Sequence, residues 1–217
     1  MNNDTNQKKT VIIFGGKFAS KISYKILKDN NYSDFVVYDS YLKDKYFKGN
    51  YTFINSKTVL LNVIKKVTNK IFFVLASSSM LAKKNWIKVF ALKNKDIINV
   101  ISKDHVINNA EKIGSGNLIW SNVTLDYDCK IGSFNFINNS SLILHDVVIG
   151  SHNFIGPNAT ILGNVKIGNN CYIGSNSVID SNIIIENDCI IGANSFIRNN
   201  VLKGQKVYGT PGKLIKK

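Results

Sequence analysis

Two of the three histidines in this 217-residue chain fall in one stretch, ILHDVVIGSHNFIGPNATILGNVKIG at 143–168, and His145 is followed directly by Asp146. An imidazole titrates near neutrality, so it can take a proton from an attacking amine or hydroxyl, at a gain of roughly 10²–10⁴-fold in rate. A carboxylate next to it holds the ring in one tautomer. Acyl transfer from a thioester needs such a base, a donor for the developing oxyanion and two aligned substrates. The alternative is that His145 is an ordinary corner residue. No Ser or Cys nucleophile is paired with a His, so any transfer is expected to be direct. Three scattered His, and Cys129, Cys171 and Cys189 without CxxC or Cys/His spacing, predict no metal.

The elements that position these residues are legible as a repeat. Stepping by six from Ile101 to Ile197 lands on Ile at every position but one, Leu125. The position four after each is mostly small or apolar, as at Val123, Val147, Ala159 and Val165, and all three Cys occupy it. Gly often follows the Ile, as at Gly150, Gly156, Gly168 and Gly174. This is the hexapeptide pattern of a parallel β-helix. Each hexad is a short strand and a corner, three hexads make a coil, and equivalent residues of successive coils stack at roughly 4.8 Å. His145 then sits at a corner, two residues past its ladder Ile. Cys171 and Cys189 stack in the core as thiols. His105 occupies an inward slot at the start of the stack, and His152 is expected at the surface.

Residues 10–100 read as β-α-β-α-β with a parallel sheet. TVIIFGG is a strand ending in Gly, and FASKISYKILKDN is a helix with an apolar face of Ile22, Ile26 and Leu27. FVVYD at 35–39, a helix over 60–67, KIFFVLASSS at 70–79 and the helix MLAKKNWIKVFALKN follow. Strand, Gly turn, helix, strand, Asp is the outline of a nucleotide-binding half, although Gly15-Gly16-Lys17 is not GxGxxG. Three segments are therefore expected: an α/β nucleotide-sugar-binding domain over 1–100, a β-helix over 101–202 and a closing segment over 203–217.

Composition excludes other classes. The formal net charge is +14, but only one of 28 basic residues is Arg, the usual base and phosphate reader, so nucleic-acid binding is not expected. The longest apolar runs, such as IFFVLA at 71–76, are strand-sized, so no membrane insertion is expected. The polar N-terminus has no signal-peptide core, and the chain reads as cytoplasmic.

An α/β domain, a hexapeptide β-helix with an HD pair and the YGTPGK close resemble the bacterial sugar O-/N-acetyltransferases. That family includes sialic acid O-acetyltransferases and nucleotide-aminosugar N-acetyltransferases, and the resemblance spans about residues 10–215. It implies a left-handed β-helix, a homotrimer with sites between subunits, acetyl-CoA as co-substrate and a role in surface glycan biosynthesis. It casts His145 as base and Asp146 as its orienting acid. Gly163 becomes the oxyanion donor, and Asn138 lies near the sugar. Gly174, Ser175 and Ala193 follow pantetheine, and GTPGK at 209–213 lies near the adenine. Phe154 stands where the family often has a second His facing the thioester. Gly15, Gly16, Lys17, Asp39, Ala76 and Ser77 take the nucleotide. The expected reaction is N-acetylation of a UDP- or dTDP-linked amino-dideoxy sugar. O-acetylation of sialic acid or another free sugar, and a non-catalytic scaffold, remain as alternatives.

Overall fold

The computed structural model describes residues 9–108 and 112–215. The polar residues 1–8 and the final two residues of the closing segment lie outside them. The chain forms two compact units, Met1–Val100 and Ile101–Lys217.

In the first unit, β1 (Lys9–Phe14), α1 (Phe18–Asp29), β2 (Asp34–Tyr38), β3 (Thr52–Ile54), α2 (Lys57–Lys66), β4 (Lys70–Leu75) and α3 (Met80–Phe90) follow in order. The sheet is parallel, ordered β3-β2-β1-β4. The strand β3 departs from the β-α-β-α-β expectation. It has three residues, too few to show a period, and it follows β2 with no helix between. The intervening loop is anchored by aromatic packing. Phe47 and Tyr51 sit with ring centroids 4.6 Å apart, and both pack on Tyr24 of α1. Ser56 and Ser79 cap α2 and α3 by accepting the N–H of Val59 and Ala82. The buried face of α1 also differs from its periodicity. Ile26 and Leu27 are buried, but Ile22 is only half-buried, while Ser20 and Ser23 are fully enclosed. Small side chains let α1 approach β1, and Ser20 Oγ donates to the Gly15 carbonyl.

The second unit is a parallel β-helix of two-residue strands. One face stacks Leu118–Ile119, Phe136–Ile137, Phe154–Ile155, Tyr172–Ile173 and Ile190–Ile191. The second stacks Val106–Ile107, Thr124–Leu125, Leu142–Ile143, Thr160–Ile161, Val178–Ile179 and Phe196–Ile197. The third stacks Lys130–Ile131, Val148–Ile149, Lys166–Ile167 and Ile184–Ile185. One register holds throughout these pairs, each strand meeting the strand three hexads further along the chain. The coil shortens at the end, where Ile191 pairs with Val207, and Lys213–Leu214 folds back antiparallel on Lys206–Tyr208. The closing segment thus caps the first face.

The ladder aliphatics fill the interior, with Ile119, Ile137, Ile143, Ile155 and Ile161 fully buried. Full burial of one such side chain contributes roughly 1.5–3 kcal/mol. The three Cys are buried free thiols among them. Three interior slots hold asparagine instead: Asn117, Asn135 and Asn153. Each is satisfied. The Asn135 N–H donates to Asn117 Oδ1, the Asn153 N–H to Asn135 Oδ1 and the Cys171 N–H to Asn153 Oδ1, at 2.7–2.8 Å. Their side-chain amides donate to the carbonyls of Gly132, Gly150 and Gly168 at 2.9 Å. The ladder runs unbroken because the coil stack places each side chain against the next backbone.

The corners have one recurring backbone state. The third residue past each ladder position has φ near +60°, from Asn122 through Asp146 (61°) and His152 (63°) to Asn194 (55°). Asn and Asp tolerate this left-handed region better than other non-glycine residues, and they hold most of these positions.

Candidate active site

His145 and Asp146 occupy the edge between the second and third faces, after the strand Leu142–Ile143. The left-handed turn at Asp146 folds its carboxylate back on the preceding ring, and Oδ2 lies 2.9 Å from His145 Nδ1. An ionised carboxylate only accepts, so Nδ1 carries a proton, and in the neutral ring Nε2 is then the nitrogen with the lone pair. Both side chains are about half exposed (55% and 53%), so Nε2 is available to a substrate.

One coil on, Gly163 lies against the imidazole. A Cβ there would fall 2.6 Å from His145 Cε1 and 2.7 Å from Nε2. Only glycine leaves the ring its place. The backbone ties the two coils, since the Asn164 N–H donates to the His145 carbonyl at 3.1 Å. Among the described residues the Gly163 N–H meets no acceptor. A base with a free Nε2 stacked on an open amide can take a proton and hold a developing oxyanion.

The other β-helix residues singled out in the sequence lie elsewhere on the chain. Asn138, Gly174, Ser175 and Ala193 line the edge between the first and second faces. Asn138 Oδ1 accepts the Asn139 N–H at 3.1 Å. Ser175 and Ala193 have no acceptor for their N–H groups among the described residues. Gly174 is required there, because a Cβ would come within 2.4 Å of the Ala193 nitrogen. Phe154 stands on the outside of the first face, stacked on Tyr172 at 4.9 Å and 6°. His152 is half-buried and stacked on Phe134 at 5.1 Å and 10°, which corrects its expected surface position. It takes the same left-handed slot as Asp146, and Phe134 takes that slot one coil earlier, so the two rings are coil neighbours. His105 is half-buried, with Nδ1 against the Ser102 carbonyl. Asp128, one coil before Asp146, is held by Lys112 at 2.6 Å, which keeps its carboxyl below the usual range.

In the α/β unit, Gly15, Gly16, Lys17, Asp39, Ala76 and Ser77 gather at the carboxyl ends of β1, β2 and β4. This is the edge where open α/β sheets bind ligands. Gly15, at φ 103°, donates its N–H to the Tyr38 carbonyl, and the Ala76 N–H donates to Phe14. The Asp39 carboxylate is already engaged: Oδ2 accepts from Gly16 at 2.7 Å and Oδ1 from Tyr41 at 2.8 Å. It therefore shapes the glycine turn. Lys17, exposed, precedes α1 and provides no side-chain cap.

Among the described residues, no three His, Cys, Asp or Glu side chains gather in a metal-binding arrangement. Also among them, no helix is long and apolar enough to cross a membrane.

Residues 128–163, 146–181 and 164–202 match the sequence model of the bacterial transferase hexapeptide (six repeats) family. No curated protein sequence matches the chain. Solved structures do. One is a histidine-to-asparagine variant of perosamine N-acetyltransferase from Caulobacter crescentus in complex with CoA and GDP-perosamine. It superposes with a TM-score of 0.83 at 19% identity, over 96% of this chain and 97% of that one. The acetyltransferase domain of PglB from Neisseria gonorrhoeae, in complex with acetyl coenzyme A, gives 0.80 at 18%, over 97% and 100%. WeeI from Acinetobacter baumannii gives 0.82 at 24%, over 95% and 100%. Over nearly its whole length, then, the chain has the fold of these proteins: a small parallel α/β unit followed by a left-handed β-helix of hexapeptide repeats.

Proposed function

We propose that the protein is an acetyl-CoA-dependent N-acetyltransferase acting on the amino group of a nucleotide-linked amino-dideoxy sugar, in the making of a surface glycan. The observation that carries this is the His145 imidazole, held at Nδ1 by Asp146 and packed on Gly163 with Nε2 free. In the proposed step the sugar amine attacks the thioester carbonyl. His145 Nε2 takes the amine proton, and the Gly163 N–H donates to the carbonyl oxygen as it gains charge. The C–S bond then breaks, and the proton returns to the departing thiolate. The complexes of the similar structures with CoA, acetyl coenzyme A and GDP-perosamine support the substrate classes.

The open amides of Ser175 and Ala193 suit the amide carbonyls of pantetheine, with Gly174 making room for them. They lie on a different edge from His145. We therefore place the site between copies of the chain in a homotrimer, with Phe154 and Asn138 beside the acetyl donor and the sugar. The turn of Gly15, Gly16 and Lys17, with Ala76 and Ser77, is assigned to the nucleotide, and Asp39 to the shape of that turn. A surplus of Lys over residues 1–100 favours an anionic ligand. No part of this scheme needs a membrane or nucleic acid, and a cytoplasmic location follows from the nucleotide sugar.

A thiol-release assay tests the reading. Purified protein receives acetyl-CoA with UDP-, dTDP- and GDP-linked amino sugars, and with free sialic acid. Turnover on a nucleotide-linked amino sugar, reduced about 10²–10⁴-fold in His145→Ala, is expected. Turnover on sialic acid alone would establish O-acetylation instead.

A further inference from the structure

The corner amides separate the edges of the β-helix by what they leave open. At the edge between the third and first faces, the N–H two residues past the ladder position is capped from the next coil. Ser151 donates to Asn169 Oδ1 at 2.7 Å, and Asn169 to Asn187 Oδ1 at 2.6 Å. At the edge that carries His145, the cap comes from the preceding residue. Tyr127 donates its N–H to Asp126 Oδ1 at 2.8 Å, and Ser181 to Asp180 Oδ1 at 2.9 Å. Between those two coils lie His145 and Gly163, preceded by Leu144 and Leu162. Neither amide has an acceptor among the described residues.

Stacking makes these four positions equivalent. Asp126, Leu144, Leu162 and Asp180 occupy one slot in four successive coils, and all are half-buried. An aspartate fits the slot, because two coils hold one. Its carboxylate reaches the amide from outside, so that N–H faces the exterior in this slot. A leucine there has no acceptor to offer. Gly163 is itself buried, and a buried amide with no partner is uncommon in a folded chain.

We propose that Leu144 and Leu162 are positioning residues of the acyl-transfer site. They keep the His145 and Gly163 amides open, while Asp126 and Asp180 close the neighbouring coils. Across the four coils from Asp126 to Asp180, open donors on this edge thereby fall at the base and at the glycine beneath it. This rests on the acetyl-transfer reading above, and the experiment separates the two.

Amide hydrogen exchange is measured by NMR on the isotope-labelled full chain, wild type against Leu162→Asn, Leu162→Asp and Leu162→Met. Asn138 caps Asn139 in the same local way, so both polar variants should slow exchange at Gly163. Thiol release should fall on the order of 10²-fold in kcat with the KM for acetyl-CoA unchanged, the scale of one lost oxyanion donor. Leu162→Met should keep both fast exchange and full rate. Asp180→Leu should speed exchange at Ser181 and leave kcat alone. Slow exchange at Gly163 in the wild type would overturn the proposal. So would a capped Leu162→Asn that turns over at the full rate, since asparagine adds no charge. A wild type that releases no thiol from any acceptor overturns the functional reading and the catalytic use of the amide. In that case the exchange contrast between Gly163 and Ser181 still decides whether the leucines leave the donors open.

Discussion

At the residue scale, the candidate chemistry depends on one imidazole and the groups that fix it. Asp146 acts through a backbone state as much as through charge, because φ of 61° folds its carboxylate onto Nδ1. Gly163 acts by having no side chain. Gly163→Ala places a methyl 2.6–2.7 Å from the ring, and the exposed imidazole is the group able to move. The expected result is a loss of kcat on the order of 10²-fold with the thermal midpoint nearly unchanged, since displacement of a reacting group by about 1 Å costs that much. Steady-state rates and a melting curve on the same preparation check this. The HD pair was legible in the sequence. The requirement for glycine at 163 was not, because it arises from a ring a full coil away that only the stack brings into contact.

At the element scale, the coil is held by two interlocking ladders. The aliphatic ladder was readable because a fixed period of six and a bulky interior slot leave a one-letter signature. The asparagine ladder was not. A polar residue in a local window reads as surface, and the partners of Asn135 and Asn153 are backbone groups in the next coil. Asn135→Ala would leave the Asn153 N–H and the Gly150 carbonyl without those partners in the interior. A loss of about 2–6 kcal/mol is expected at roughly 1–3 per orphaned group, measured by denaturant unfolding. The recurring Asn and Asp at the third corner position were also present in the sequence. Their meaning as left-handed residues appears only once the corner is seen as a repeated backbone state. In the α/β unit, β3 leaves no sequence signature because three residues carry no period, and α1 buries serines where periodicity favours Ile22.

At the scale of the whole molecule, the two units respond differently to alkali. Lys83 of α3 is buried, which lowers its pKa from 10.5 to about 8. A lowered folded-state value means the charged form opposes folding at neutral pH, and the penalty lifts as pH rises through 8 towards 10.5. Stability should increase by about 1 kcal/mol between pH 8 and 9 from this group, and Lys83→Met should abolish that increment. Cys171 acts in the opposite sense. Burial pushes its thiol up to about 11, so its contribution is complete below pH 9 and is lost as pH rises towards 11. Burial raises Cys129 and Cys189 as well. The native protein should therefore give almost no reaction with a disulfide reagent at pH 8, and three thiols should appear on denaturation. Reaction of a thiol in the folded state would mean that the interior opens readily.

The sequence by itself determined the β-helix, its three-hexad coil, the strand–glycine–helix opening of the α/β unit and the histidine on which the chemistry is proposed to turn. Each of these is written locally or at a constant period, and hydrophobic burial enforces it. The tertiary structure alone decided what lies one coil away: the imidazole over Gly163, the asparagine ladder, His152 packed on Phe134 and the uncapped amides beside Leu144 and Leu162. Those contacts join residues a whole coil apart along the chain. Their energy comes from stacking distance and from which donor meets which acceptor, neither of which a single hexad contains.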